Sequence, residues 1–437
     1  MNNTIYQARI IIFALICVMV FTGISITTDD VFAASEKKTK NFTYEIKNDK
    51  AYITGYRGKS KKVVIPDRIN SKPVVSASIN KKKFTSVNIS NASSLNYFDC
   101  SGTKIKKLNT KNNLKLSTLV CSDTKIKKLN LKKNKELKTL LIGGTKITGI
   151  DLKNNKKLKN LDCEKSKLKK LNLTKNKKLK YLSISGSKLK SLNLKKNKNL
   201  KSIRIVKTHL VDLNISKNTK LKTVELQLNK KLSTIKTGNN KYLIDLNIGS
   251  TNIRNLNTEK LVKLESLNCS ETKLTGLDLK KNTRLSRLDC SNSNLSTLDI
   301  SQNKNLFSLD CSGNKISALD VSKQKGLTEL NCSYMVLDNL DVSQNKELDY
   351  LDCSYNKITA LNEFSGSTLY CDNNLLTSLG TNKMPSLEYL IITNNPGLTV
   401  DVSTNKNLVS ITYSPASDPD GLEVFMDKTS QRIFKNV

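Results

Sequence analysis

Cysteine is the residue type in this sequence best suited to chemistry, and its spacing is regular. Cys269, Cys290, Cys311, Cys332 and Cys353 stand 21 residues apart. Thiols can form disulfides, bind metal ions or act as nucleophiles. A zinc site would need close pairs such as C-x-x-C, and the sequence has none. The even spacing therefore assigns the cysteines to a repeat rather than to a reactive centre.

Other residues that support catalysis are scarce. The chain of 437 residues contains one histidine, His209, and no tryptophan. No Ser-His-Asp set, phosphate-cradling glycine motif or pair of carboxylates outside the repeat is visible. We therefore predict a protein that is not an enzyme and that needs no cofactor or metal ion.

The cysteine spacing extends over much of the chain when apolar residues in phase with it are included. We call this recurring site the ladder position, and one repeat a coil. A period of this length predicts a solenoid. The sequence contains 16 ladder positions: Cys100, Cys121, Ile142, Cys163, Ile184, Ile205, Leu226, Ile248, Cys269, Cys290, Cys311, Cys332, Cys353, Cys371, Ile392 and Tyr413.

Each coil shows the same internal pattern. Leu285 to Leu295 reads L-S-R-L-D-C-S-N-S-N-L, in which L-x-C alternates with polar neighbours. Alternation of this kind predicts a short strand. The remainder of the coil is too short for a full helix and return, so it predicts a turn and a second extended piece at L-D-L/V/I-S. We therefore expect a rod or horseshoe of about 16 coils, with short parallel strands on the concave face and little helix.

This pattern resembles leucine-rich repeats over residues 95–413. The 21-residue unit with cysteine in a leucine position is most similar to the internalin J-like branch of bacterial surface proteins. Residues 42–79 resemble the opening β segment of BspA-type repeat proteins, whereas internalins usually open with a helical cap. The resemblance implies that the concave face recognises host or surface ligands.

Two residue types inside the coil have predicted structural roles. The cysteines stand where other coils have Ile or Leu, so we expect reduced, buried thiols. An asparagine recurs 13 residues after the ladder position, and we expect it to bond backbone groups of a turn. These asparagines are Asn134, Asn155, Asn176, Asn197, Asn218, Asn282, Asn303 and Asn345.

The sequence divides into five regions. Residues 1–34 have the features of a cleaved export signal, with an uncleaved membrane anchor as the alternative. Residues 35–41 form a linker, residues 42–94 a β-rich N-terminal cap with a first atypical coil, and residues 95–413 the solenoid. Residues 414–437 are expected to cap its open end. Within them, Asp418–Gly421 is a turn signal or a partial calcium loop.

Charge is distributed unevenly along the chain. The formal net charge is +37, and residues 51–250 hold 49 Lys and Arg against 10 acids. Residues 251–437 hold 19 against 22. An excess this one-sided predicts that the basic half binds an anionic polymer, although any single lysine is accounted for by solubility alone. The candidate polyanion-binding residues are Lys127, Lys128, Lys132, Lys133, Lys169 and Lys170.

Polar and aromatic residues of the strands are expected on the concave face. The candidate ligand-binding residues are Asp289, Asp310, Asp352, Tyr350, Tyr370 and Tyr389. Stacked Asp and Asn side chains can equally bond their neighbours, whereas exposed tyrosines often anchor partners. The tyrosines lie near the shortened coil of residues 353–370, where Glu363 and Phe364 replace Asp and Leu.

We predict a secreted binding protein of the bacterial surface or cell wall, which is not an enzyme and acts as a monomer. Its concave face would recognise a host or surface protein or glycan, and its lysine-rich half would hold it on anionic cell-wall polymer. A binder of heparin-like polyanions or nucleic acid is a second possibility, although nucleic acid is disfavoured because no aromatic residues interleave the lysines. A purely structural wall protein is a third. Contact with a membrane is expected only if the leader stays uncleaved.

Overall fold

The structure is a computed structural model that describes residues 37–80 and 84–413, together with the backbone of residues 423–425 and 433–436. The predicted export signal, and with it Cys17, lies outside the described residues, as does Asp418–Gly421. The chain divides into two compact units, Met1–Ser202 and Ile203–Val437.

The first unit is built from short β-strands. Its strands are β1 (Lys37–Lys38), β2 (Phe42–Lys47), β3 (Lys50–Tyr56), β4 (Lys62–Val64), β5 (Arg68–Ile69), β6 (Lys72–Ser78), β7 (Ser86–Asn88), β8 (Tyr97–Asp99), β9 (Thr118–Val120), β10 (Thr139–Leu141), β11 (Asn160–Asp162) and β12 (Tyr181–Ser183).

The first unit begins with antiparallel hairpins and continues with parallel strands. Asn48 and Asp49 join β2 to β3 with φ of 47° and 60°, the two positive φ values of a tight hairpin turn. Asn70 and Ser71 join β5 to β6 in the same way, with φ of 47° and 60°. β3 then pairs in parallel with β6, and β6 with β8. The hairpins thus lead directly into the parallel stacking of the coils.

The second unit continues with strands of similar length, the first of which starts at the last residue of the first unit. Its strands are β13 (Ser202–Arg204), β14 (Asp212–Asn214), β15 (Thr223–Glu225), β16 (Thr234–Lys236), β17 (Asp245–Asn247), β18 (Ser266–Asn268), β19 (Arg287–Asp289), β20 (Ser308–Asp310), β21 (Glu329–Asn331), β22 (Tyr350–Asp352), β23 (Ala360–Leu361), β24 (Thr368–Tyr370), β25 (Ser378–Leu379), β26 (Tyr389–Ile391), β27 (Thr399–Asp401), β28 (Ser410–Tyr413), β29 (Glu423–Phe425) and β30 (Ile433–Asn436). A single 3-10 turn, Thr381–Lys383, is the only helical segment in the described part of this unit.

The repeat period sets the register of the parallel strands. Leu119 pairs with Leu140 in the first unit, and Leu288 pairs with Leu309 in the second. The three-residue strands that precede the ladder positions place one buried apolar residue at their centre, which is leucine in most coils and Phe98, Ile203 or Val224 in others. The predicted fold is confirmed: the described residues form a β-solenoid of about 17 turns with parallel strands and almost no helix.

Fifteen of the 16 predicted ladder residues are buried directly after a strand, whereas Tyr413 is half-buried and is the last residue of β28. Cys100, Cys121, Cys163 and the six ladder cysteines of the second unit are free and buried. Burial raises the pKa of the Cys290 and Cys332 thiols well above its usual range. The prediction of reduced core thiols therefore agrees with the structure. A buried isoleucine or leucine at this position contributes about 1.5–3 kcal/mol to folding.

The recurring asparagines join neighbouring coils. Asn155 Nδ2 donates to the carbonyl oxygens of Leu131 at 3.1 Å and of Asn134 at 2.8 Å, both in the preceding coil. In the second unit Asn303 Nδ2 donates to Leu279 O at 3.2 Å and to Asn282 O at 2.8 Å. The prediction that these residues bond backbone groups is confirmed, and the bonds connect two coils rather than closing one turn.

A second polar column lies three residues after the ladder position. In the first unit Thr124 Oγ1 donates to Cys121 O at 2.8 Å, within its own coil. In the second unit Asn314 Nδ2 donates to Cys311 O at 2.8 Å and to Cys290 O at 2.9 Å. The change from threonine to asparagine therefore adds a bond between coils.

The second extended piece predicted for every coil is a strand in only a few. It forms three parallel pairs of strands: β14 with β16, β23 with β25, and β27 with β29. In most other coils this segment has an irregular backbone and pairs with no strand. The coil needs only a buried leucine there, which an irregular backbone supplies as well.

Candidate functional site

The polar residues of the strands form a surface that we call the strand face. It comprises the residues three and one before each ladder position and the residue after it. Asp289, Asp310 and Asp352 lie in one column of this face and are half-buried. Tyr350 and Tyr389 lie in the neighbouring column.

The aspartates of the strand face close the turn that follows each strand. Asp310 Oδ1 accepts from the amide of Ser312 at 3.0 Å and from its hydroxyl at 2.6 Å. Asp352 Oδ1 makes the same pair of bonds with Ser354. Asn331 takes the aspartate role in the coil between them. These bonds give the column a structural function, and one oxygen of each aspartate is used for it.

Asp289 also has a neighbour in the preceding coil, because Asn268 Nδ2 donates to its Oδ2 at 2.6 Å. Burial, together with the carboxylates of Asp289 and Asp352, raises the pKa of Asp310. The face is therefore locally anionic, and a bound cation would relieve this repulsion.

Two of the three predicted tyrosines are in contact. The rings of Tyr350 and Tyr370 meet edge to face, with centroids 5.7 Å apart and planes at 78°. Burial raises the pKa of Tyr350, with a further contribution from Asp352. Tyr389 lies in the Tyr350 column, beyond Thr368, and is 43% exposed. The pair and Tyr389 thus occupy adjacent coils of one face without forming a single cluster.

The shortened coil keeps the sheet continuous. Tyr350 and Asp352 pair with Thr368 and Tyr370 across it. Phe364 is buried and fills the space that leucine fills elsewhere. Gly366 is required, because a Cβ there would lie 2.5 Å from the Asp349 Cα and closer still to a carbonyl oxygen. The expected irregularity is therefore absorbed in the core of this coil.

Glu363, which replaces aspartate in the shortened coil, forms ion pairs at the surface. Lys346 Nζ lies 3.2 Å from one of its oxygens, and Lys383 Nζ lies 3.9 Å from the other. Surface pairs of this kind contribute little to stability.

The predicted polyanion-binding lysines all lie at the surface of the first unit. Lys127, Lys128, Lys132, Lys133, Lys169 and Lys170 are exposed. Among the described residues, no carboxylate lies within 4.0 Å of any of the six amino groups. Additional lysines repeat four residues after the ladder position, in register from coil to coil: Lys104, Lys125, Lys146, Lys167 and Lys188.

One shallow cavity of the first unit is lined by cations. Lys177, Lys196, Lys198 and Asn199 surround about 310 Å³. Asn199 Nδ2 donates to Lys177 O at 3.1 Å, which joins the two coils at this point. None of the six predicted lysines lines it. Sequence reasoning overlooked Lys177 and Lys198, although they share one position in successive coils.

A stacked pair of tyrosines was also missed. Tyr334 and Tyr355 lie two residues after the ladder position, with ring centroids 4.0 Å apart and planes at 10°. Glycine, asparagine and aspartate are frequent at that position in other coils. These residue types are typical of a backbone position with positive φ, where a tyrosine is unusual. Two tyrosines at this position could therefore have been noticed in the sequence.

The described residues contain no group of three or more His, Cys, Asp or Glu side chains arranged to hold a metal ion. Over the same residues, no helix has both the length and the apolar character needed to span a bilayer.

Solved structures share this architecture. The functional domain of InlJ from Listeria monocytogenes, which includes a cysteine ladder, is 23% identical with a TM-score of 0.59, covering 80% of this chain and 68% of that one. A leucine-rich-repeat protein of Leptospira interrogans is 18% identical with a TM-score of 0.53, covering 86% and 89%. The plant peptide hormone receptor RGFR1 in complex with RGF2 is 16% identical with a TM-score of 0.58, covering 93% and 84%.

These likenesses define the class of the protein as a leucine-rich-repeat solenoid by fold. No family model matches the sequence. No curated protein matches it.

Proposed function

We propose that the protein is a secreted binding protein of the bacterial surface that is not an enzyme and recognises a protein or glycan through its strand face. The observation that carries the proposal is the half-buried Tyr350–Tyr370 pair, which lies on the same face as Asp310 and Asp352. Aromatic residues that are partly desolvated are frequent binding anchors. We expect this face to be concave, and repeat proteins commonly bind partners on such a face.

We also propose that the chain belongs to the internalin J-like branch and carries a BspA-like N-terminal segment. The buried, in-register cysteines support the first part, since the InlJ domain also includes a cysteine ladder. The hairpins of β2, β3, β5 and β6 support the second part. Protein partners are consistent with the fold, because a plant receptor of this class was solved with RGF2 and Toll was solved with Spatzle.

The proposed domain organisation completes this function. Residues 1–34 would direct export, residues 35–41 would link, residues 42–94 would cap the solenoid of residues 95–413, and residues 414–437 would close it. Amino-terminal sequencing of the secreted protein tests the first boundary. A mature chain beginning at Ala34 or Ser35 is the expected result, and a chain that retains Met1 would contradict it.

Replacing the three tyrosines of the strand face tests the binding proposal. In Tyr350→Ser, Tyr370→Asn and Tyr389→Ser each tyrosine takes a residue found at the same position in other coils, such as Ser308 and Asn331. We expect the triple variant to fold and to lose at least about tenfold in binding to cultured epithelial cells, measured by flow cytometry. Tyr242→Ser, which removes another tyrosine that is 43% exposed, is the matched control. Unchanged binding by the triple variant would refute the proposal.

A second proposed function rests on the lysines of the first unit, which would hold the protein on an anionic polymer. The probe is immobilised lipoteichoic acid, with heparin as the alternative polyanion. Replacing the six predicted lysines by glutamine should lower the slope of log affinity against log salt concentration by several units, since each lysine that neutralises a phosphate adds about 0.7–0.9 to that slope. The same six positions changed to arginine keep the charge and serve as the control. Retention that does not depend on salt would contradict an electrostatic anchor.

A further inference from the structure

A separate surface lies beside the strand face, where each strand turns into the rest of its coil. We call it the turn edge, and it comprises the residues two and four after the ladder position. Among the described residues, 15 coils carry a residue with positive φ at the first of these positions. Most of these residues are small or polar: Gly102, Asp123, Gly144, Lys165, Gly186, Lys207, Leu228, Ser250, Glu271, Asn292, Gly313, Tyr334, Tyr355, Asn373 and Asn394.

Tyr334 and Tyr355 are exceptions to this composition. Their φ values are 52° and 55°, in the left-handed region that disfavours bulky side chains. They are 58% and 43% exposed, so they gain little from burial. Stacking on each other offsets part of this cost. Two adjacent residues that oppose local preference in this way point to a function that requires them.

Further apolar residues extend the turn edge around the stack. Val336 and Leu375 lie four residues after their ladder positions and are 42% and 52% exposed. The first unit has lysine at this position in five successive coils. Lys357 lies between Val336 and Leu375 and is the one cation in this column from Val336 to Leu375. The coils of Cys332, Cys353 and Cys371 thus present an aromatic and aliphatic patch.

Carboxylates border the patch on the side of the strand face. The neighbouring Tyr355 hydroxyl raises the pKa of Tyr334, and the charges of Asp372 and Asp352 raise it further. Asp372 Oδ2 accepts from Asn373 at 2.6 Å, and its own pKa is raised by burial. The Tyr334 phenol therefore lies in a negative environment.

The two sides of the Tyr334 ring have different neighbours. Tyr355 stacks on one face, whereas the coil on the other side has Gly313 in the same column, which leaves a gap where most coils place a side chain. Asn292 reaches across that glycine, because a Cβ at Gly313 would collide with its Oδ1. The gap is therefore bounded by an aromatic face on one side and by an amide oxygen on the other.

We propose that the turn edge of these coils binds an arginine side chain carried in an aliphatic segment of a partner protein. A planar guanidinium can stack on an aromatic face and donate to an amide oxygen at the same time. Tyr334 supplies the ring and Asn292 supplies the acceptor, while the charges of Asp352 and Asp372 attract the cation without contacting it. Val336 and Leu375 contact the aliphatic side chains of the segment. This surface is distinct from the strand face and does not depend on the function proposed above.

The test uses the full chain and a defined peptide, acetyl-Gly-Leu-Arg-Leu-Gly-amide, followed by saturation-transfer NMR. Analogues with glutamine or lysine in place of arginine are titrated alongside. We expect saturation of the arginine side-chain protons, and binding at least about tenfold weaker for the glutamine peptide. The lysine peptide should fall between them, since an ammonium group is not planar.

Two double variants isolate the stack. The first combines Tyr334→Asn with Tyr355→Asn. Asparagine occurs with positive φ at this position in three other coils, as Asn292, Asn373 and Asn394, so we expect this variant to fold and to be at least as stable as the wild type. We expect it to weaken arginine-peptide binding about tenfold, whereas Tyr334→Phe with Tyr355→Phe should stay within about threefold. Asp372→Asn should give an intermediate loss. Thermal unfolding of each variant verifies folding.

Three results would overturn the inference. They are absence of binding by the wild-type chain up to about 5 mM peptide, equal binding of the arginine and glutamine peptides, and unchanged binding by the asparagine double variant. The Tyr350, Tyr370 and Tyr389 triple variant should bind the peptide normally. Failure of the strand-face proposal is thereby distinguished from failure of this one.

Discussion

At the residue scale, buried side-chain amides connect neighbouring coils in addition to the backbone bonds of the parallel strands. Asn303 donates to two backbone carbonyls of the preceding coil, and Gln324 does so in the following one, to Ile300 O at 2.8 Å and to Asn303 O at 3.4 Å. These carbonyls are buried, so water cannot replace the amide. The side chain of an asparagine at this position therefore stabilises the stacking of coils.

Removing this amide should destabilise the protein. We expect Asn303→Ala to lower the free energy of unfolding by about 2–4 kcal/mol, because two buried acceptors lose their donor. Asn303→Gln should lose less, since Gln324 reaches the equivalent carbonyls. Urea unfolding followed by circular dichroism measures both. Asn294→Ala, at an exposed asparagine, is the control, and an equal loss there would contradict the explanation.

A half-buried carboxylate of the strand face should make stability depend on pH. Burial raises the pKa of Asp162 to about 6, with further contributions from Glu164 and Asp123, while Asp162 Oδ1 accepts from the amide of Glu164 at 2.8 Å. The unfolded chain releases this proton near pH 4. The folded protein therefore loses stability as the pH rises from about 4 to 6, and the loss persists above pH 6.

Asp162→Asn should remove this loss. The amide oxygen can still accept from Glu164, as Asn268 accepts from Ser270 at 3.2 Å. We expect about 1–3 kcal/mol more stability at pH 7 and a flatter profile between pH 4 and 6, from urea unfolding across pH. Asp151→Asn is the control, because the amide of Lys153 lowers the Asp151 pKa and its contribution has the opposite sign. A steeper profile for Asp162→Asn would show that the assignment is wrong.

At the element scale, the turn after each strand is fixed by one residue in the left-handed region. Glycine, asparagine and aspartate adopt it readily, and other side chains are strained there. Leu228 has φ of 62° and is 45% exposed, so it bears this strain without much burial in return. Its amide nevertheless bonds Gly249 O at 2.9 Å, which keeps the turn in register with the next coil.

Leu228→Asn should stabilise the second unit. We expect a gain of about 1 kcal/mol in the free energy of unfolding, since asparagine tolerates positive φ better than leucine. The midpoint of urea unfolding measures the change. Leu114→Asn is the matched control, because Leu114 is 56% exposed and is not among the residues with positive φ. An equal gain at Leu114 would mean that reduced surface hydrophobicity, not backbone strain, is responsible.

At the scale of the whole molecule, charge is the dominant feature. The net charge of +37 is concentrated in residues 51–250, where lysines repeat at the same position in successive coils. Neighbouring strands are about 4.8 Å apart, which is well inside the screening length of about 8–10 Å in physiological salt. Like charges at this spacing repel one another, and the folded chain is stabilised by anything that screens them.

Salt should therefore raise the melting temperature. We expect a higher Tm as sodium chloride rises from about 0.05 to 0.5 M, measured by calorimetry. Replacing Lys104, Lys125, Lys146, Lys167 and Lys188 by glutamine should reduce this dependence. Arginine at the same five positions keeps the charge and should preserve it. If the glutamine variant responds to salt as strongly as the wild type, repulsion in this column is not the cause.

The sequence alone predicted the features that repeat. The 21-residue period implied parallel stacking, the burial of the leucines and the reduced state of the ladder cysteines, and the structure agrees. The bonding of the recurring asparagines to backbone was predicted as well. These features can be predicted from the sequence of a single coil, because every coil packs against its neighbour in the same way. The sequence period therefore determines which residues stack on one another.

Only the tertiary structure decided which individual side chains meet. Tyr350 and Tyr370 touch because the shortened coil still pairs its strands in register, and Tyr389 stays one coil away. The Tyr334–Tyr355 stack required the backbone dihedral angles of the turn, which composition only hints at. Such contacts depend on departures from the repeat, and their geometry is set by packing between coils rather than by the pattern within one.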